Sequence, residues 1–258
     1  MELRDWAIRI LSADALEEKL FAPEELSDNN PGPAFIWKEP TRPAGMQFQK
    51  HTYRDRLPKF SEHHQADKRA VCLHRFAGHE LLAVEVMAFA LLAFPDAPGH
   101  FRRGVAHTLK EEQGHVRLYL NRMKQMGVQL SDLPLYRNFW SYTPYLKTPL
   151  HYVSVMSLTF EMANLDFAPL YGASFAKQGD YLSAQLMQQI LQDELSHVSF
   201  GYRWLKKLKG AEQSEWDAWV DSLPPKLTPD RAKGFQFMEE HRSKIGISSE
   251  WINNLKQA

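Results

Sequence analysis

The chain has little sulfur chemistry to offer. One cysteine, Cys72, stands among 258 residues, so no disulfide forms within it, and such sparse use fits a reducing compartment. An excess of either charge is also missing. Lys and Arg total 31, Asp and Glu total 31, and no basic run of five or more residues occurs. That removes the electrostatic footprint of a nucleic-acid partner. Long apolar runs are absent as well. The most apolar stretch, Leu81 to Phe94, contains Glu85 and is too short to span a bilayer, so it reads as a buried helix. Glu2, Asp5 and Asp14 lie where a secretion signal would be apolar. No membrane partner is expected, and the expected location is the cytoplasm.

What the sequence does contain is carboxylate and imidazole in a repeated pattern. Glu80 is followed by Glu112 and His115, and Glu161 by Glu194 and His197. The gap from lone Glu to Glu-x-x-His is 32 residues in one half and 33 in the other. A single Glu-x-x-His means little: with 18 Glu and 11 His in the chain, chance alone supplies roughly one. Placement is the evidence. Phe94-Pro95-Asp96-Ala97-Pro98-Gly99 and Lys177-Gln178-Gly179-Asp180 read as tight turns between helices. Each lone Glu precedes its turn by about as many residues as its Glu-x-x-His follows. At 1.5 Å rise per residue, each trio is then level to within about one helical turn.

Phase agrees with height. Glu80 shares a 3.6-residue stripe with Leu73, Ala77, Val84 and Met87; Glu112 and His115 share one with Phe101, Val105, Val116 and Tyr119. Glu161 falls in line with Leu158, Leu165 and Ala168, and Glu194 and His197 with Met187, Ile190, Val198 and Gly201. Glu is ordinarily a solvated surface residue. Four carboxylates and two imidazoles on apolar faces are costly to bury unless something balances them, and a pair of metal ions does so. Ferritin-like four-helix bundles place one Glu on each of two helices and Glu-x-x-His on each of the other two.

The expected fold is therefore all-α: a ferritin-like four-helix bundle over residues 67–210, with helices near 67–93, 100–127, 149–177 and 181–209. Residues 1–66 form an N-terminal extension and 211–258 a C-terminal helical one. Asp67, Asp180 and Thr148-Pro149 read as helix starts, and Ser12 as a cap before 13–20. Short helices are expected over 213–222, from Thr228-Pro229 and over 248–255. Asp28 to Pro58 has five prolines and no period, and its Phe35, Trp37, Phe48 and Tyr53 suggest that it lies against the bundle.

Glu111 and Asp193 each precede a ligand Glu, where an acid can accept the N–H of a ligand histidine; the expected pairing is Asp193 with His115. Glu85 and Asp166 each lie five residues past a lone Glu, roughly 7 Å off the level of the trios. They read as structural groups or as supports for the ligands rather than as ligands. His79 reads as a partnered structural histidine and Tyr119 as packing or a redox-active neighbour.

The segments Glu80-Leu-Leu-Ala-Val-Glu85, Glu111-Glu112-Gln-Gly-His115, Phe160-Glu161-Met-Ala-Asn-Leu-Asp166 and Asp193-Glu194-Leu-Ser-His197-Val, followed by Gly201 and Trp204, resemble an uncharacterised bacterial ferritin-like family. The resemblance spans about residues 70 to 207. It implies the bundle and the metal pair, with Glu80, Glu112, His115, Glu161, Glu194 and His197 as ligands, and leaves the reaction open. Carboxylate and imidazole without thiolate suit iron or manganese, with zinc behind them. The leading expectation is a dinuclear iron or manganese enzyme that activates dioxygen as an oxidase or hydroxylase. Its partners would be dioxygen, a small-molecule substrate and an electron donor. The alternatives are an iron-handling ferroxidase or store, a partner-binding module without catalysis, and a tRNA hydroxylase, which the neutral charge does not support. Oligomeric state and catalytic residues are not legible.

Overall fold

The computed structural model describes residues 1–49 and 56–258, so Tyr53 lies outside the described residues. The all-α expectation holds. Among the described residues every regular element is helical, and backbone pairing of β type is limited to two isolated bridges, Glu2 with Ser27 and Phe48 with Leu135. The chain divides into two compact units, Met1–Thr143 and Pro144–Ala258. Each keeps one long helical hairpin together with the extension that packs on it. The boundary between the two units falls in the connection between the hairpins.

In the first unit, α1 (Leu3–Ser12) and α2 (Leu16–Lys19) precede the hairpin of α3 (Ala66–Ala93) and α4 (Gly99–Gln125). Ser12 closes α1 instead of capping the next helix, and Asp67 lies in the first turn of α3, whose cap position is Gln65. α3 is long and apolar enough to cross a membrane by length and composition. However, 83% of its most apolar window is buried inside the protein, as a helix apolar all round must be in a core. Two neighbours cover it besides α4. α1, whose Trp6 and Ile10 are fully buried, packs on it, and the segment after Asp28 lies along it. Phe35 N donates to Leu92 O at 2.9 Å, Trp140 Nε1 to Lys38 O at 3.1 Å, and Arg102 grips Asp28 through Nε and Nη2. The segment docks mainly through its backbone and charges. Phe35 itself is 43% exposed.

In the second unit, Thr148 accepts from His151 N at 3.4 Å and Pro149 opens α5 (Pro149–Val155). The single helix expected over 149–177 is interrupted by one wide π turn, Met156–Glu161, before α6 (Met162–Lys177). α7 (Tyr181–Leu208) returns alongside, capped by Asp180, which accepts from Ser183 N at 3.1 Å. Pro169 inside α6 cannot donate to Leu165 O. His241 Nδ1 supplies the missing donor at 2.8 Å. The C-terminal segment carries α8 (Glu215–Asp221), α9 (Glu239–Lys244) and α10 (Ser249–Gln257). Trp216, Trp219 and Trp251 pack together there, with Trp219 stacked on Trp251 at 5.0 Å. Thr228-Pro229 opens only a short 3₁₀ turn, Pro229–Ala232.

Candidate metal centre

The first trio sits midway along its hairpin. Glu80 on α3 and Glu112 and His115 on α4 are buried, none more than 6% exposed. Each offers one ligand atom, and the three atoms lie within 4.8 Å of one another. The i, i+3 spacing sets His115 beside Glu112, with Nδ1 3.2 Å from Oε2. Three donors gathered at that distance from two antiparallel helices meet the first requirement of a metal site.

The second trio is buried as well. Glu161 ends the π turn, Glu194 and His197 lie on α7, and all are at most 4% exposed. Glu161 and His197 each offer an atom within 4.8 Å of the other's, and His197 Nδ1 is 3.6 Å from Glu194 Oε2. One participant was not expected from sequence. Asn164, one turn past Glu161, donates from Nδ2 to Glu194 Oε1 at 2.7 Å. That bond fixes the Glu194 carboxylate and leaves Oε2 on the side of His197. The sequence signal was an amide following Glu161 at i+3, too ordinary to single out.

The remaining buried carboxylates are of a different kind. Glu85 is met by Lys19 at 3.0 Å and Arg42 at 2.5 Å, with all three side chains essentially inaccessible. Asp166 is met by Arg242 at 2.7 Å and accepts from Gly234 N and Met238 N. Both are neutralised by cations from the flanking segments. Glu111 is half-buried with its carboxylate 3.5 Å from His107 Nε2, and Asp193 is half-buried on α7. His79 lies against the Phe139 ring at 5.2 Å, and buried Tyr119 lies 6.1 Å from Phe76.

The donor chemistry fits a cation that prefers oxygen and nitrogen. The one thiol stays out of it: burial pushes Cys72 up to about 12, and its sulfur lies 3.6 Å from His63 Nε2. Fold and site thus define an all-α protein with buried carboxylate–histidine groups able to hold a metal ion. The chain belongs to the family described as "Protein of unknown function (DUF455)", whose sequence model matches residues 5–253. No curated protein and no solved structure matches it.

Proposed function

We propose that the chain is a dinuclear iron or manganese protein that activates dioxygen as an oxidase or hydroxylase. Glu80, Glu112, His115, Glu161, Glu194 and His197 would hold the ions. The observation that carries this reading is the repetition: each long hairpin buries the same Glu and Glu-x-x-His trio at matching distance from its turn. A ferritin-like arrangement of the hairpins would combine the trios into one centre. Four carboxylates would then balance two divalent ions, which accounts for acids buried at a cost no solvent offsets. Redox-active ions held there supply, when bound, the electrons that reduce dioxygen. The protein's part is to bind and orient. Asn164 holds Glu194, Asp193 and Glu111 would steady ligand histidines, and the buried helix faces would keep water out. A small organic substrate and an electron donor complete the set of partners.

The test is metal content by elemental mass spectrometry, on protein purified without chelator from cells supplied with iron and manganese. About two ions of iron or manganese per chain are expected. Near-zero metal that persists after anaerobic reconstitution would sink the proposal. Reduced, reconstituted protein should also reoxidise with dioxygen, and Glu112→Ala should lose that reaction; a variant that still turns over argues against the assignment.

A further inference from the structure

The π turn that ends at Glu161 is gripped from two sides. Its hydrogen bonding involves a donor from far along the chain. Ser154 O accepts from Thr159 Oγ1 at 2.7 Å and from the indole Nε1 of Trp219 at 3.1 Å, and that indole lies 3.3 Å from Thr159 Oγ1. Ser154, Thr159 and Trp219 are all fully buried. The other grip is an absence. A Cβ built on Gly201 of α7 would lie 2.2 Å from Ser157 Cβ and 3.0 Å from its Oγ, so the widened turn rests where only a hydrogen fits. Gly201 stands one turn beyond His197.

A π turn holds one residue more than the α-helical path it replaces. Collapse to α geometry would shift the two flanking helices against each other by about 100° and 1.5 Å. Glu161, as the last residue of the turn, would lose its register against Glu194 and His197 on α7. We infer that Trp219 and Gly201 are positioning residues: together they hold the π turn open and thereby set where Glu161 stands. The inference takes its purpose from the metal reading above, but the hold on the turn is measurable without metal.

Trp219→Phe keeps a ring and removes the N–H. Thr159→Val removes the hydroxyl at nearly constant shape, and Thr159→Ser keeps it. In metal-free protein, amide hydrogen exchange over residues 156–161 should be about tenfold faster in W219F and T159V and near the wild-type rate in T159S. Titration with Co(II) alone should show about tenfold weaker binding and an altered visible spectrum in the first two variants. Gly201→Ala should act in the same direction, and adding Ser157→Gly, which removes both close atoms, should restore exchange and spectrum. Unchanged exchange and spectrum in W219F and T159V, or no restoration by S157G, overturns the inference. Should W219F not fold, the T159V and T159S pair decides alone. If the wild-type chain takes up no Co(II), the dinuclear reading falls, and the exchange rates by themselves uphold or overturn the hold on the turn.

Discussion

The two hairpins carry the same trio on differently built helices. In the first, Glu80 sits in an unbroken helix of 28 residues, covered by α1 and by the segment after Asp28, whose Phe35 N meets Leu92 O in the last turn. In the second, Glu161 ends a π turn and α6 contains Pro169. There the C-terminal segment completes the helix: Trp219 donates to Ser154 O and His241 to Leu165 O. Both halves anchor an extension through an acid five residues past the lone Glu, Glu85 to the N-terminal segment and Asp166 to the C-terminal one. The repeat thus reaches beyond the ligands to the anchoring of the flanks. The lesson is one of dependence. The N-terminal extension meets a carbonyl in the last turn of its helix, where such groups are left over in any helix, whereas the C-terminal one meets carbonyls beside the π turn and at Pro169.

The largest expected effect tests that asymmetry at the anchors. Among the described residues Asp166 is met by one guanidinium, Arg242, while Glu85 is met by two cations. Arg242→Met strands a buried charge and should cost about 3–5 kcal/mol. Lys19→Met leaves Arg42 on Glu85 and should cost about 1–3 kcal/mol. Burial already pulls the Lys19 ammonium down, against the raising pull of Glu85, so its removal also returns some desolvation cost. Urea unfolding midpoints check the order. A loss in K19M equal to that in R242M would break the comparison.

Much of this was readable in advance, and the misses share a cause. Turn signals placed the ends of the long helices within two residues, because Pro95, Gly99, Gly179 and Asp180 act locally. Asp180 and Thr148 cap as read. Asp67 does not, since Gln65 already has the extended backbone of the cap position and Asp67 falls two residues inside. Burial of the trio residues followed from periodicity alone. The π turn did not, because the indole that helps hold it open lies 60 residues away and no local propensity encodes it. Arg42, Lys19 and Asn164 escaped for the same reason: each acts on a carboxylate more than 25 residues distant.

Asn164 offers the next test. Three residues past the lone Glu the first half has Ala83 and the second has Asn164. Asn164→Ala makes the halves alike and frees the Glu194 carboxylate to turn. Affinity for added Fe(II) or Mn(II) should fall by about 10- to 100-fold, and metal-free stability by about 1–3 kcal/mol, because the buried Glu194 oxygen loses its donor. An unaltered affinity would mean that Glu194 is held by its packing and that the amide bond is incidental.

The smallest effect concerns acid. In the first unit burial holds His63 and His74 below the ordinary histidine range, and His74 donates to Leu130 O at 2.9 Å. In the second unit His151 is lowered as well, but it is only half-buried. A histidine kept neutral in the folded chain takes its proton first in the unfolded one. Its contribution is therefore present above about pH 6.5 and is lost as pH falls below that value toward the lowered folded one, by at most about 1.4 kcal/mol per pH unit for each group. His74→Gln removes the titration and keeps an amide donor, so metal-free H74Q should lose less stability than wild type between pH 6.5 and 5. His151→Gln should change that slope less. Equal slopes in H74Q and wild type would place the acid sensitivity outside the α3 core, and the first hairpin would no longer be the half that acid loosens first.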